Sequence, residues 1–344
     1  MEGLAAGEIE LVEAAVHGDT DAFRQLVEPL HRELHLLCYR MLGSYHDAED
    51  VLQNAQFKAW QGLRGFDGRA RFRTWMVRVT TNACLDALRT RRRRVLPQDI
   101  GAARNPALGL GDQRHDLPWL EPFPDSRLPG ADPAAAAELR ESVHLAFVWA
   151  LQILPPRQRA TLILRDVLDW SARGVAAALG TSVAAVNSSL QRARATLARR
   201  PAGADLASRR SGYGTGLDEL AARYVRAWET GDMDAIVSML AADAIHAMPP
   251  WPAWFAGRDS LRELYAQYPV WRGHPGPGVF RMVPTALNGG LAFAEYCRQQ
   301  AEGPYHALAL TVVTPDPSGT EIVEKISFVS ADLLTRLGYP SVLE

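Results

Sequence analysis

Cysteine is scarce in this chain: Cys38, Cys84 and Cys297 are three, odd in number and far apart in 344 residues. They form no CxxC and no Cys/His spacing suited to zinc, which argues against a disulfide framework or structural metal and fits a reducing compartment. Long apolar runs are also missing. Nowhere do about 18 apolar residues follow one another, so no membrane helix is expected. The N-terminal stretch MEGLAAGEIELVEAAVHGD carries acids where a secretion signal carries cations. A soluble, cytoplasmic chain with no membrane partner is the expectation. Nor does either sign of charge dominate: 37 Lys and Arg stand against 39 Asp and Glu, a net charge of -2. Such a protein does not coat nucleic acid indiscriminately, and any DNA affinity must come from local clusters. What is plentiful is apolar residue, 47% of the chain, enough at this length for two or three domains.

The most informative segment runs from Leu154 to Leu197. Pro155 and Pro156 suit a helix start, where a missing N–H is harmless, and Ala160, Ile163, Leu164, Val167 and Leu168 recur at helical spacing. A second short helix keeps Val175, Ala178 and Leu179 inward. Gly180 offers a left-handed turn, Thr181 or Ser182 caps the next helix, and Val183, Val186, Leu190, Ala193 and Leu197 make one apolar stripe. Ser188, Gln191 and Arg192 point away from that stripe, with Asn187, Ser189 and Arg194 flanking them. Cap, turn and stripe describe a helix-turn-helix whose last helix presents hydrogen-bonding and cationic groups to a DNA groove. The plainer alternative is a surface helix with a few solvated arginines.

Around this segment the chain divides. Residues 8–94 read as all helix, broken at HGD before Thr20, at LGSYHD near Asp47 and at GFDGRARF near Phe72. Residues 95–133 form a proline-rich linker, 134–200 return to helix, and 201–216 are a Gly/Ala/Ser linker. From 217 to 340 the period changes: helices near 217–230, 233–241 and 258–267 precede the alternating segments GVFRMVPTAL, LAFAEYCRQ, YHALALTVVT and EIVEKISFVS. Three helices before a strand meander indicate an α+β domain whose helices cover one face of a curved sheet.

In the first helical part, Phe72, Trp75, Met76, Val79 and Ala83 form an inward stripe. The outer face offers Thr74, Arg78, Thr81, Asn82 and Arg89. The helix runs into RTRRRR, where Arg89 and Arg91 to Arg94 exceed what a helix C-terminus needs and suit phosphate. Upstream, Asp47, Glu49 and Asp50 lie in a first helical turn beside Gln53. Helix capping and a surface for a basic protein partner account for them equally well.

DAEDVLQNAQFKAW, FDGRARFRTWMVRVTTNACLDALRTRRRR and the helix-turn-helix resemble regions 2 and 4 of extracytoplasmic-function (ECF) sigma factors of the sigma-70 family. LAARYVRAWETGDMDAIVSMLAADAIHAMPPWPAWFAGRDSLRELYAQ, GPYHALALTVV and LLTRLGYP are similar to the SnoaL-like domain that a subset of them carries. The resemblance implies two all-α sigma domains, the second with the helix-turn-helix, followed by an α+β SnoaL-like cone with a curved, mostly antiparallel sheet. It implies core RNA polymerase and promoter DNA as partners. Asp47, Glu49, Asp50, Val51, Leu52 and Gln53 fall in the polymerase-binding segment. Arg69, Phe72, Arg73, Trp75, Arg78, Asn82 and Arg89 fall in the segment that reads and opens the minus-10 element. Phe72 and Trp75, on the core stripe, are expected to support the base pocket and not to stack on bases. Ser182, Asn187, Ser188, Gln191, Arg192 and Arg194 match the minus-35 helix. One departure stands out: Asn187-Ser188-Ser189 replaces the Lys-Ser-Arg of many members, removing two cations.

The cone of the SnoaL-like domain serves some relatives as an enzyme and others as a binding site. His246, Trp251, Trp254, Arg281, Glu295, His306 and Glu324 are the candidates to line a small-molecule cavity. By alternation His306 shares a face with Leu308, Leu310 and Val312, and Glu324 with Ile322, Ile326 and Phe328. No nucleophile, metal set or phosphate loop appears, so no cofactor is expected and the domain reads as a built-in regulator or ligand sensor, not an enzyme. In the linker stretch LPWLEPFPD, Trp119, Leu120 and Phe123 either dock on this domain or lie in the polymerase RNA-exit path, as sigma linkers do. Two other classes remain: a DNA-binding regulator that works without polymerase, and a SnoaL-type enzyme fused to a DNA-binding half.

Overall fold

The computed structural model describes residues 6–68, 70–130, 139–199, 216–267, 278–298, 300 and 302–344. Arg69 and the linker residues 201–215 lie outside these. The chain divides into two compact units, one built from residues 1–94, 127–138 and 145–205, the other from 95–126, 139–144 and 206–344.

The first unit is helical: α1 (Ala6–Val16), α2 (Thr20–Val27), α3 (His31–Leu42), α4 (Tyr45–Gly62), α5 (Phe72–Ala87), α6 (Leu145–Ile153), α7 (Pro156–Leu162), α8 (Ala172–Ala178) and α9 (Val183–Ala198). Side-chain caps fix the starts. Asp19 accepts from the amides of Asp21 and Ala22, Ser44 from Asp47, Ser171 from Gly174 and Ser182 from Ala185. Gly43 and Gly180, with φ of 69° and 58°, close α3 and the α8–α9 turn in the left-handed conformation. A π-helical turn, Ile163–Val167, continues α7. The buried stripe of α9 is Val186, Leu190 and Ala193. Val183, expected in that stripe, is instead exposed at the first position of α9. Thr81, expected on the outer face of α5, is buried, with its hydroxyl turned back onto the Val77 carbonyl at 2.7 Å.

The second unit is α+β: α10 (Gly216–Thr230), α11 (Met233–Ser238), α12 (Arg258–Ala266) and α13 (Ala331–Arg336) accompany seven strands. These are β1 (Leu240–Ala247), β2 (Trp254–Ala256), β3 (Phe280–Leu287), β4 (Gly290–Cys297), β5 (Tyr305–Pro315), β6 (Ile322–Phe328) and β7 (Val342–Leu343). The sheet order is β2-β1-β6-β5-β4-β3, with β7 on β5; the β1–β6 pair is parallel and the others antiparallel. The helix expected over 233–241 stops at Ser238 and β1 takes over from Leu240. Leu220, Tyr224, Trp228, Leu261 and Tyr265 from the helices pack over Phe280, Phe293 and Val313 of the sheet. Asn288 and Gly289, both at positive φ, turn β3 into β4, the two-residue connection that suits strand twist.

Residues 95–126 belong to this second unit and are not a free tether. Phe123 and Asn288 bond reciprocally: the Phe123 amide donates to Asn288 Oδ1 at 2.9 Å and the Asn288 amide to the Phe123 carbonyl at 2.8 Å. Asn288 Nδ2 donates to the Val143 carbonyl at 2.7 Å, and the Gly289 amide to Asp125 Oδ1 at 2.8 Å. Farther up, the Arg104 amide reaches the Trp254 carbonyl, Trp254 Nε1 the Gly101 carbonyl, and the Arg114 amide the Pro250 carbonyl. Leu120 and Phe123 are fully buried. The proline-rich segment thus satisfies its backbone partly within itself, through a short Val95–Trp119 bridge, and partly on the neighbouring domain.

Candidate functional site

Helix α4 carries the first candidate surface. Glu49, Asp50 and Gln53 are exposed, joined by Asn54 and by Phe57, which is 59% exposed. At i, i+4 and i+8, Glu49, Gln53 and Phe57 share one helix face, on which acid grades into amide and then aromatic. Val51 and Leu52 do not belong to it: both are buried in the helical core, because their 100° offsets turn them inward. Asp47 is half-buried beneath the arginine tail that follows α5. Its Oδ1 is 2.7 Å from Arg91 Nη1, and Oδ2 pairs with Arg94. Phe57 is legible in the sequence as a large apolar residue off the core stripe of α4, a weaker signal than the acidic turn that precedes it.

Helix α5 presents Arg73, Arg78 and Asn82 to solvent, and Arg89 is exposed just past its C-terminal end. Arg73 is held by Glu33 and Arg89 lies 3.4 Å from Asp86, so two of these cations already have carboxylate partners. Phe72 and Trp75 are buried, and stand 5.6 Å apart in a cluster of tilted and edge-on rings with Phe66 and Phe23. Rings so enclosed shape the helix from beneath; they offer no free face to a base.

On α9, Asn187, Ser188, Gln191 and Arg192 are exposed together, and Ser182 is exposed at the cap. Arg192 Nη1 donates to Ser188 Oγ at 2.7 Å, tying one cation along the helix. Arg194 forms a two-point pair with Asp166, at 2.9 and 2.7 Å, and is thereby drawn off the face that Asn187 and Gln191 share.

The carbonyls at the end of α3 show why α6 and α7 pack against it. A helix leaves its last four C=O groups without helical partners. The Tyr39 carbonyl takes the Gly43 amide, that of Arg40 takes Gln152 Nε2 at 3.3 Å, and that of Met41 takes Arg159 Nη1. Arg159 also donates to Gln152 Oε1 at 2.6 Å and to the carbonyls of Gln152 and Leu154. Burial lowers its pKa to about 10, with the charge of Arg93 adding to the effect.

In the α+β unit, two of the seven proposed cavity residues come together. His246 and Glu295 both lie on the inner face of the sheet and are buried, with Lys325, Thr311 and Ser327. His246 Nε2 is 3.0 Å from Ser327 Oγ, which is 2.7 Å from Thr311 Oγ1. Tyr224 donates to Glu295 Oε1 at 3.3 Å, and Lys325 Nζ stands 3.5 Å from the same oxygen. The others are elsewhere. Trp251 and Trp254 are half-buried at the β1–β2 end, and Arg281 is an exposed residue near Glu229. His306 is exposed, against expectation. A bulge opposite Glu295 and Tyr296 puts Leu308 out of register, so His306 does not continue the alternation of Leu310 and Val312. Glu324 is half-buried on the face opposite Lys325, its neighbour in sequence, and Lys325, missed in the sequence, holds the interior. Among the described residues, no group of three or more His, Cys, Asp or Glu is placed to hold a metal, and no helix is long and apolar enough to cross a membrane.

Burial, reinforced by the charge of Lys325, holds His246 well below the usual imidazole pKa. The unfolded chain therefore takes up a proton that the folded domain refuses as pH drops below about 6.5. Stability is complete above that pH and falls below it, with a limiting slope of about 1.4 kcal/mol per pH unit. Thermal unfolding of the full chain between pH 7.5 and 5.5 is expected to show this slope, and His246→Gln to flatten it. Equal slopes would contradict the assignment.

Known proteins share this architecture. Sigma-70 region 2 matches residues 26–94, Sigma-70 region 4 matches 145–197, and the SnoaL-like domain matches 221–323. The ECF RNA polymerase sigma factor SigG of Mycobacterium tuberculosis is 42% identical over 323 residues, spanning 93% of this chain and 85% of SigG. SigM of the same organism is 34% identical over 190 residues, 55% of this chain and 82% of SigM. The crystal structure of the M. tuberculosis extracytoplasmic function sigma factor SigJ superposes with a TM-score of 0.59 at 24% identity, covering 91% of this chain and 97% of SigJ, and shows the same fold.

Proposed function

Because this chain belongs to the ECF RNA polymerase sigma factors, non-enzymatic subunits that bring core polymerase to promoter DNA, we propose a division of that work among the surfaces described above. Glu49, Asp50, Gln53 and Phe57 form the polymerase-binding face. Asp47 serves it indirectly, by anchoring Arg91 and Arg94. Arg78 and Asn82 contact the minus-10 strand, with Arg73 and Arg89 exchanging their carboxylate partners for phosphate and Phe72 and Trp75 bracing the helix. Asn187, Ser188, Gln191 and Arg192 enter the minus-35 groove, Ser182 contacts its edge, and Arg194 joins if it leaves Asp166. The protein acts in the cytoplasm.

The SnoaL-like domain is a built-in regulator or ligand sensor. One observation carries this reading: the segment joining regions 2 and 4 is folded onto that domain through the Phe123–Asn288 clasp. A domain that holds the connection between two DNA-reading elements can govern how far apart they move, a task otherwise given to a separate inhibitor.

Promoter binding tests the DNA reading. Binding is expected mainly with core polymerase present; tight operator binding by the chain alone would favour a polymerase-independent regulator. With Asn187 and Ser189 in place of cations, the minus-35 contact is weakly salt-dependent. Asn187→Lys with Ser189→Arg is expected to steepen the log-affinity against log-salt slope of the holoenzyme by about two, close to one for each phosphate newly neutralised. An unchanged slope counts against this placement of α9.

A further inference from the structure

Of the 37 Lys and Arg residues, only Lys58 and Lys325 are lysines. Lys58 is an exposed residue of α4, whereas Lys325 is 2% exposed at the centre of the SnoaL-like domain. A chain that supplies nearly every cation as arginine retains at this one interior point the cation that can give up its proton and become a nucleophile. The surroundings fit that chemistry. Lys325 Nζ lies 4.2 Å from the ring centre of Trp228, 5.5 Å from that of Tyr224 and 5.8 Å from that of Tyr265. Among the described residues its one carboxylate is Glu295, at 3.5 Å. His246, its register partner on β1, is fully buried, and its Nδ1 has no hydrogen-bond partner among the described residues. A core that needed only to be filled would be served as well by apolar side chains, since a buried ion pair adds little stability over a hydrophobic replacement.

We propose that Lys325 is a carbonyl-capturing residue, which binds a small apolar aldehyde as an imine inside the SnoaL-like domain, with Glu295 as proton carrier and Trp228, Tyr224 and Tyr265 as the wall. The ammonium first passes a proton to the Glu295 carboxylate. The free amine attacks the carbonyl carbon, and the N–C bond forms while the nitrogen passes a proton to the carbonyl oxygen. Glu295 then protonates the resulting hydroxyl, water leaves, and the protonated imine remains paired with the Glu295 carboxylate. One aldehyde is consumed and one water released, with no oxidant or reductant, and hydrolysis reverses the step. Burial favours the amine by lowering the Lys325 pKa, against the opposing pull of Glu295. The imidazole of His246, neutral and with an open ring nitrogen, can hydrogen-bond a polar group on the ligand.

This deepens the sensor reading above by naming its ligand class. The test needs neither polymerase nor DNA, so its failure leaves the regulator reading standing, and a regulator that fails leaves the imine standing. The full chain is incubated with benzaldehyde and cyanoborohydride at pH 7, and benzyl adducts on its two lysines are followed by peptide mass spectrometry. Lys325 is expected to be modified at least about tenfold faster than Lys58, because the amine released by burial is the reactive form. Denaturation in guanidinium should abolish the difference, and Glu295→Gln should slow Lys325 while leaving Lys58 unchanged. Modification of Lys58 at an equal or greater rate in the folded chain would overturn the proposal. So would a Lys325 preference that survives denaturation.

Discussion

Arg159→Ala is expected to destabilise the helical unit by about 3–5 kcal/mol, the cost of uncapping several buried carbonyls at about 1–3 kcal/mol each with partial relaxation. Arg159 caps the Met41 carbonyl at the end of α3 and braces Gln152, which caps the carbonyl of Arg40. Its removal therefore strips the junction between region 2 and region 4 of two caps at once. For a unit of this size the melting temperature should fall by roughly 10 °C or more. Arg159→Lys keeps the charge, but a single ammonium cannot serve acceptors on both guanidinium arms, so an intermediate loss is expected. Circular dichroism melts of the full-length variants decide the matter. A loss below about 1 kcal/mol would mean that the junction does not depend on this hub.

Phe57→Ala is expected to cost more in binding than any other single truncation on α4. A large aromatic left 59% exposed beside Glu49, Asp50 and Gln53 has the composition of an interface anchor. Truncating such an anchor removes about 2 kcal/mol or more, so affinity for core polymerase should fall about 30-fold or further. Because the ring is not part of the helical core, the melting temperature should stay where it is. Fluorescence anisotropy of labelled chain titrated with core enzyme measures the first quantity, and calorimetry the second. Unchanged affinity would remove Phe57 from the polymerase face.

The helix-turn-helix was legible in the sequence because its signals are local. A capping serine, a glycine at positive φ and a 3.6-residue stripe each act within a few positions, and they agree. Phe72 and Trp75 were legible as core for the same reason. What escaped depended on distant partners. Strand β1, LAADAIHA, has weak intrinsic strand preference and becomes a strand by pairing with β6 from far along the chain. The exposure of His306 is not legible, because alternation holds only between bulges and nothing in YHALALTVVT announces one at Leu308. Lys325 is not legible as an interior residue, because a lone lysine between strand-forming residues reads as a solvated position until the opposite helices are known. The docking of 95–126 was half visible: Leu120 and Phe123 are too apolar for a free linker, but their receptor, the Asn288-Gly289 turn, is identified only by its geometry. Val51 and Leu52 show the reverse error, where membership of a functional segment concealed an ordinary core role.

The claim that the SnoaL-like domain governs initiation through the connecting segment is tested most directly by multi-round transcription from a matched promoter. Three proteins are compared with the same core polymerase: the full chain, a chain ending at Arg200, and the full chain with Asn288→Ala, which removes both side-chain bonds of the clasp. Release of the segment is expected to change transcript yield severalfold, in the same direction for both altered proteins. Identical yields from all three would contradict the account.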